Sequence, residues 1–236
     1  MTVYLTRFRL NPARVGARRL LGSPQSLHAA VLASFAEPPR QRPDGSRVLW
    51  RVDQQARSEV VLYVVSPDEP DLTHLVEQAG WPTTGGWQTR PYATFLDRIT
   101  ADDVWSFRLT ANPVHSIRRV PAEPTKRTAH VTARHQVEWL LNRQQDAGFA
   151  VLEKPEPRED LPPTDAYEVI AHSRKDLMFQ KRGEKDTRAH QVKLTRVTFD
   201  GRLRVLDPAV FRRTLTSGLG KAKAYGCGLM TLARTE

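Results

Sequence analysis

Apolar and polar positions alternate over several short stretches of the chain, and this period-two pattern predicts strands. Between them lie segments whose apolar residues recur every three or four positions, which is the helical pattern. The first half gives strands at Val3–Leu10, Val48–Val52, Glu59–Val65 and Thr94–Ile99, a helix that begins at Ser23-Pro24, and a helix over Asp71–Ala79. The predicted order is therefore β-α-β-β-α-β.

The second half repeats this order. Its predicted elements are strand Val104–Leu109, helix Val131–Ala147, strands Tyr167–Phe179 and Gln191–Thr198, helix Pro208–Ser217 and strand Gly228–Ala233. Two such units in tandem predict an α+β fold of two ferredoxin-like (RRM-like) domains, which we place at residues 1–100 and 101–236. Because this fold hosts many functions, the function has to be inferred from individual sites.

The charge distribution favours a polyanionic partner. The chain of 236 residues has 36 Lys and Arg against 26 Asp and Glu, a net charge of +10. Residues 1–36 contain no acid, whereas residues 58–89 hold five acids and no Lys or Arg. Arginine-rich composition alone would give a scattered excess, so this segregated one indicates a nucleic-acid partner first.

The cysteine and histidine content limits the classes of site. The single cysteine, Cys227, excludes an internal disulfide and fits a reducing cytoplasm. His130 and His135 lack the spacing of a helical metal pair, so we expect no metal and no cofactor. No apolar run approaches the ~20 residues of a membrane helix, and the N-terminus does not resemble a signal peptide. We therefore expect a cytoplasmic protein without a membrane partner.

The most informative segment is the sequence GLGKAKAYGCG at residues 218–228, which we call the glycine-rich loop. Glycines let backbone N–H groups come close to a phosphate, and Lys221 and Lys223 add positive charge there. The segment therefore predicts a clamp for a phosphate backbone, with a flexible turn as the alternative. It is neither a dinucleotide fingerprint, because it follows a helix, nor a Walker loop, because Ala222 follows the lysine.

Several segments of the chain together resemble the CasE family, the CRISPR repeat-processing endoribonucleases of type I-E systems. They are Asn11-Pro12 after the first strand, Ser23–His28, Phe107–Pro113 and residues 218–229. The resemblance covers nearly the whole chain. It implies a metal-independent RNase that cuts precursor CRISPR RNA below the repeat hairpin. It also implies that the protein keeps the mature guide RNA and joins the other protein subunits of the Cascade complex.

His28 is the first catalytic candidate. It lies in the second turn of a helix capped by Ser23, where the helix dipole favours an anion such as phosphate. RNA cleavage without a metal needs a base for the 2′-hydroxyl, an acid for the 5′-oxygen and cations near the phosphorus. We predict that His28 performs one proton transfer and that Lys221 and Lys223 supply positive charge if the glycine-rich loop packs beside this helix. The structural alternative is a histidine on the flank of a core helix.

The group for the second proton transfer is less clearly marked. Some relatives carry a tyrosine three residues before this histidine, but Gln25 stands there in this chain and cannot transfer a proton. Tyr225 is our catalytic candidate for that role, with Tyr4 or a lysine as alternatives. The remaining alternative is that His28 acts with electrostatic help alone.

The RNA-binding candidates lie in two regions. In the predicted hairpin after Tyr167 they are Arg174, Lys181, Arg182, Lys185, Arg188 and Lys193; in the glycine-rich loop they are Gly218, Gly220, Lys221, Lys223 and Gly226. The resemblance implies that such a hairpin enters a groove of the RNA stem, whereas a solvated hairpin of mixed charge is the alternative. A non-catalytic RNA-binding subunit also stays open, while the absence of a helix-turn-helix pattern disfavours a DNA-binding regulator.

Overall fold

The structure, a computed structural model, describes residues 2–37, 40–54, 59–82, 86–117, 126–156, 160, 162–181 and 190–235. The first unit contains β1 (Tyr4–Leu10), α1 (Val15–Gly22), α2 (Pro24–Leu32), β2 (Leu49–Gln54), β3 (Val60–Ser66), α3 (Thr73–Ala79), β4 (Trp87–Pro91) and α4 (Ala93–Leu96). Its strands pair antiparallel in the order β2-β3-β1-β4. This is the strand order of a ferredoxin-like sheet.

Helices α1, α2 and α3 cover one face of this sheet. Their apolar residues, among them Leu20, Leu27 and Leu75, pack with Phe8 and Leu62 of the strands into a buried core. Removing these side chains from water is the main favourable contribution to the fold of the unit. The packing also fixes α2, which carries His28, against the edge strand β2.

The second unit contains β5 (Val104–Ala111), β6 (Val114–Ile117), β7 (Lys126–Ala129), α5 (Ala133–Leu141), β8 (Phe149–Val151), β9 (Val169–Lys181), β10 (His190–Val205), α6 (Pro208–Ser217) and β11 (Met230–Arg234). The main sheet has the order β11-β5-β10-β8, and β9 also pairs with β10. Since β8 and β9 pair with successive stretches of β10, the order matches that of the first sheet. The predicted α+β fold of two tandem ferredoxin-like units is confirmed.

A hairpin arm projects from the second sheet. It consists of residues 175–181 of β9 and 190–196 of β10, which pair with each other beyond the stretch of β10 that pairs with β5. The register shifts between Arg196 and Thr198. Such a bulge bends a strand and increases its twist. The arm can therefore leave the plane of the main sheet.

The two units share an apolar core. Leu49 and Val65 of the first sheet belong to the same buried cluster as Leu109 of the second. The predicted boundary falls in the turn between α4 and β5. We propose that residues 1–100 and 101–236 are the two domains and that the shared core forms their interface.

The predicted strand at Thr94–Ile99 is wrong. This segment contains most of α4, in which the amide of Leu96 donates a hydrogen bond to the carbonyl of Tyr92 at 3.0 Å. Leu96 and Ile99 are both buried, and their spacing of three positions is helical rather than extended. The strand lies earlier, at Trp87–Pro91. It was not predicted because most of its side chains are polar.

Other predicted bounds differ by a few residues. The helix predicted over Val131–Ala147 is α5, which ends at Leu141, and turns continue from there to Gly148. The strand predicted from Gly228 begins at Met230. In the part of the chain that the structure describes, no helix is long and apolar enough to span a membrane.

Candidate active site

Helix α2 begins with the N-terminal cap that the sequence predicted. The hydroxyl of Ser23 accepts a hydrogen bond from the backbone N–H of Ser26 at 3.2 Å, and the two hydroxyl oxygens are 2.9 Å apart. Pro24 occupies the first helical position. Pro24 has no N–H, and the N–H groups of Ser26 and Leu27 donate to Ser23, so the positive end of the helix dipole is what suits this turn to an anion. His28 lies one turn further along.

His28 is bonded to the neighbouring strand. The indole N–H of Trp50 in β2 donates to Nδ1 of His28, with 3.2 Å between the nitrogens. An indole N–H can only donate, so Nδ1 is the acceptor and we assign the proton of the neutral ring to Nε2. Trp50 is 1% exposed. The bond therefore gives a partner to a buried donor and fixes the orientation of the imidazole.

The glycine-rich loop follows α6 and lies against both α2 and β2. Gly218, Gly220 and Gly226 have φ values of 77°, 81° and 76°, in the left-handed region that favours glycine. A Cβ at Gly226 would lie 2.6 Å from Cζ3 of Trp50, and one at Gly218 would lie 2.7 Å from Cδ2 of Leu49. Gly218 and Gly226 are therefore needed for close packing of the loop on β2, whereas Gly220 packs on Trp139 of α5. Phosphate binding by them stays a prediction.

The two lysines of the loop differ in their surroundings. Lys221 is exposed, whereas Lys223 is half-buried. Burial lowers the pKa of Lys223, and the positive charges of Arg47 and Lys221 lower it further. Arg47 precedes β2, and its backbone N–H donates to the carbonyl of Thr216 near the end of α6 at 3.4 Å. Three cationic side chains therefore gather beside the loop.

The sequence analysis missed Arg47 and Trp50. Both lie far from the glycine-rich loop along the chain, and their proximity to it depends on how β2 packs against the second unit. A tryptophan within an apolar strand ordinarily indicates a core residue. Neither position carried a local signal of function.

Tyr225 lies in the glycine-rich loop with the two lysines. It ends the short 3₁₀ turn Lys223–Tyr225, which contacts α2. Its ring packs edge-on against Phe179 of the hairpin arm, with centroids 4.8 Å apart and planes at 66°. Tyr4 lies in β1, which β3 separates from β2. Tyr225 is therefore better placed than Tyr4 for the second proton transfer, and this role stays a prediction.

The hairpin arm has two faces, because side chains alternate along a strand. Phe179 lies on the face that meets the glycine-rich loop, and the cross-strand pair of Lys175 and Arg196 shares this face. Arg174 and Lys193 lie on the opposite face, where Arg174 donates to a carboxylate of its own strand at 2.8 Å. Their binding to RNA stays a prediction. The first face adds two cations that the sequence analysis did not select.

The remaining hairpin candidates lie at or beyond the end of β9 along the chain. Arg182, Lys185 and Arg188 lie outside the described residues, and Lys181 is described only through its backbone at the end of β9. That these four residues contact RNA stays a prediction.

A group of three histidines lies outside this site, whereas Cys227 lies in the glycine-rich loop itself. The ring of His130 is 4.4 Å from that of His115 and 6.0 Å from that of His135, centroid to centroid. Across the described ranges, no three or more His, Cys, Asp or Glu side chains are grouped so as to hold a metal ion. Burial raises the pKa of Cys227 to about 12, so its thiol stays protonated at neutral pH.

Comparison with known sequences identifies relatives over the full length. The family described as CRISPR associated protein matches residues 3–234. The chain is 32% identical over 233 residues to the CRISPR-associated endoribonuclease Cse3 of Thermus thermophilus, an alignment that covers 98% of this chain and 100% of that protein.

Solved structures share the fold. Thermus thermophilus Cse3 bound to an RNA representing a pre-cleavage complex has a TM-score of 0.74 and 29% identity, covering 99% of this chain and 100% of that one. Cas6e from Escherichia coli K-12 has a TM-score of 0.57 and 20% identity, with 98% and 100% covered, a likeness of fold alone. The chain therefore belongs to the CasE family of CRISPR-associated proteins, which includes Cse3.

Proposed function

We propose that the protein is an endoribonuclease that binds the hairpin of a CRISPR repeat and cleaves precursor CRISPR RNA into mature guide RNA. One observation carries this proposal: the glycine-rich loop and its cations lie against α2 and Trp50, the indole that is bonded to His28. A group that can transfer protons and groups that can bind phosphate thus meet in one place. Membership of the CasE family supports the choice of substrate.

The proposed reaction is attack of a ribose 2′-oxygen on the adjacent phosphorus. The new P–O2′ bond forms as the P–O5′ bond breaks, which leaves a 2′,3′-cyclic phosphate and a 5′-hydroxyl. One proton leaves the 2′-hydroxyl and one is delivered to the 5′-oxygen, so the reaction needs no oxidant and no water. We assign one of these transfers to His28. Tyr225 is the candidate for the other, since Gln25 cannot exchange a proton.

The cations take the charge that develops on the phosphate. Lys221 and Lys223 come from the glycine-rich loop and Arg47 from the segment before β2. Positive groups held in place before the reaction stabilise a transition state without reorganising during it. This arrangement supports a reaction that is independent of metal ions. The proposal therefore expects full cleavage in excess EDTA.

RNA binding is proposed to extend onto the hairpin arm. Lys175 and Arg196 line the face that meets the glycine-rich loop, so an RNA stem held by this face would have its scissile end near His28. Contacts of this kind are made mainly to phosphates and weaken as salt rises. Recognition would then depend on the shape of the hairpin more than on base stacking.

We also propose that the protein keeps its product and acts as a subunit of the Cascade complex. A stem held by many phosphate contacts dissociates slowly, which suits a protein that carries the guide RNA into an assembly. The proposed compartment is the cytoplasm, consistent with the lone buried thiol of Cys227. Co-purification of the other Cascade subunits only when guide RNA is present would support this step.

The alternative is a subunit that binds the repeat hairpin without cutting it. The proposed nuclease, incubated in EDTA with a labelled repeat hairpin, should give a single cut with a 2′,3′-cyclic phosphate end. An RNA with a 2′-deoxy nucleotide at the cut should bind equally well and stay intact. Tight binding of the unmodified RNA without any cleavage would favour the alternative instead.

A further inference from the structure

Trp50 is more closely tied to the candidate active site than a core residue needs to be. Its ring lies under Gly226, where even one added carbon would come within 2.6 Å. Its N–H meets Nδ1 of His28 at 3.2 Å. The indole thus lies between the glycine-rich loop and the proposed catalytic histidine. A phenylalanine would fill most of the same space without reaching His28.

We propose that Trp50 is a positioning residue, whose indole N–H holds His28 in the tautomer with an unprotonated Nδ1 and a proton on Nε2. The proposal rests on the proposed endoribonuclease function, in which His28 transfers a proton. An indole nitrogen has no acceptor capacity, so the bond is compatible with this tautomer alone. Because the two ring nitrogens lie on different edges of the imidazole, the Nε2–H is directed away from Trp50.

This bond also controls when His28 can carry a positive charge. The imidazolium has a proton on both nitrogens, so forming it sets two N–H donors against each other and removes the bond to Trp50. The charged and titratable groups on the elements packed against α2 are Lys221, Lys223 and Tyr225 in the glycine-rich loop, Arg47 before β2, Arg51 and Asp53 on β2, Arg18 and Arg19 on α1, and His74 and Glu77 on α3. Arg51 and Asp53 pair with each other.

His28 therefore has two states with different roles: one bonded to Trp50 and one released from it. With the indole bond intact, the Nε2–H can donate a hydrogen bond to a phosphate oxygen of the RNA. Proton exchange at Nε2 requires a proton on Nδ1 and hence a ring released from Trp50. Trp50 therefore sets the balance between binding of the phosphate and transfer of a proton.

The test replaces Trp50 with Phe, which removes the N–H and keeps an aromatic ring. The tautomer of His28 is read by ¹⁵N NMR of the protein labelled at histidine. The wild type should show an unprotonated Nδ1 and a protonated Nε2, and W50F should show a mixture of tautomers. His28 of W50F should also take up its proton at a pH higher by about 0.5–1 unit, the equivalent of one lost hydrogen bond.

The activity arm measures single-turnover cleavage of the repeat hairpin across pH. W50F should cleave about three- to tenfold faster at neutral pH, because its His28 takes up the Nδ1 proton more readily, with RNA affinity within about twofold of the wild type. The acid side of its pH–rate profile should be displaced from that of the wild type. The matched control is W81F, because Trp81 donates to the carbonyl of Leu10 at the same 3.2 Å, away from His28. W81F should change neither the tautomer nor the profile.

The outcomes are distinct. A wild-type tautomer of His28 in W50F, with a pH–rate profile like that of W81F, would overturn the proposal and leave Trp50 a core residue. If W50F does not fold, β-(3-benzothienyl)alanine at position 50 keeps the indole shape without the N–H and gives the same decision. Loss of cleavage by the wild type itself would instead reject the proposed function. The NMR result would still decide the role of Trp50.

Discussion

Arg51 connects the two sheets through hydrogen bonds. Its replacement by Met tests how strongly the protein and its candidate active site depend on these bonds. The guanidinium is 2% exposed and forms a two-pronged pair with Asp53, at 2.7 Å and 2.8 Å. It also donates to the carbonyls of Arg108 at 2.8 Å and Leu229 at 3.0 Å and to the hydroxyl of Thr231 at 2.7 Å. All three of these partners belong to the second unit.

The expected loss of stability follows from the hydrogen bonds that the substitution removes and from the carboxylate of Asp53 that remains buried. Arg51→Met keeps the apolar stem of the side chain but removes five hydrogen bonds. The carboxylate of Asp53, 6% exposed, keeps an ion pair with Arg108 at 3.8 Å. Removing one partner of a buried pair costs about 3–5 kcal/mol, and the 3.8 Å contact with Arg108 compensates the buried charge of Asp53 only in part. We expect the free energy of unfolding to fall by about this amount, out of a typical total of about 5–15 kcal/mol.

Urea unfolding followed by tryptophan fluorescence measures this loss. The matched control is Arg202→Met, because Arg202 pairs with Glu168 at 3.1 Å but is 45% exposed. Such a pair contributes about 1 kcal/mol or less. The double variant Arg51→Met/Asp53→Leu leaves no unpaired charge, so it should be more stable than Arg51→Met alone. Cleavage should also slow in Arg51→Met, since Leu229 directly follows the glycine-rich loop.

Two results would refute this reasoning. One is a loss in Arg51→Met no larger than the loss in Arg202→Met, which would mean that the buried contacts are replaced by water at little cost. The other is a double variant no more stable than the single one, which would mean that the charge of Asp53 is not what makes the change harmful.

Three further predictions concern the loop, the RNA and the pH dependence. Gly226→Ala, which forces a Cβ to within 2.6 Å of the Trp50 ring at a φ of 76°, should slow single-turnover cleavage at least about tenfold and reduce the free energy of unfolding by about 1–3 kcal/mol. Gly22→Ala, with open space around it, should change neither quantity. Lys223→Met should weaken RNA binding and reduce the slope of log K against log salt by about one, and an unchanged slope would remove this lysine from the phosphate contacts. The pKa of His130 is lowered, chiefly by burial, so the unfolded chain takes up this proton first as the pH falls. The free energy of unfolding should therefore decrease as the pH drops through about 6.5, by at most about 1.4 kcal/mol per pH unit. In urea titrations His130→Gln should flatten this dependence, and a slope that it leaves unchanged would assign the effect to another group.

Local chemistry explains what the sequence predicted well. Ser23 and Asp207 cap their helices through side-chain oxygens that accept from nearby N–H groups, an interaction complete within a few residues. Helix α1 was missed because its N-cap residue, Arg14, forms no side-chain cap bond. The segment Thr94–Ile99 was assigned to a strand because a short apolar stretch does not distinguish helix from strand without its tertiary contacts.

The site was only partly predictable, because its decisive contacts are not local. His28 and the glycine-rich loop each carried a signal of their own, the first through a capped helix and the second through its glycines and lysines. The bond from Trp50 to His28 depends on where β2 lies beside α2, and the position of Arg47 depends on the contact between the two units. Neither follows from the spacing of residues along the chain. The glycines were predicted for phosphate, and the structure adds a packing reason for them.

The most direct test of the central claim is single-turnover cleavage of a repeat hairpin in EDTA by the wild type and by His28→Ala, with RNA affinity measured for both. The proposed site predicts that the wild type cleaves fully without metal ions. It also predicts that His28→Ala loses at most one hydrogen bond of binding, about tenfold in RNA affinity, and cleaves at least about a hundredfold more slowly. Equal cleavage by the two proteins, or cleavage by the wild type only after a metal ion is restored, would contradict the account.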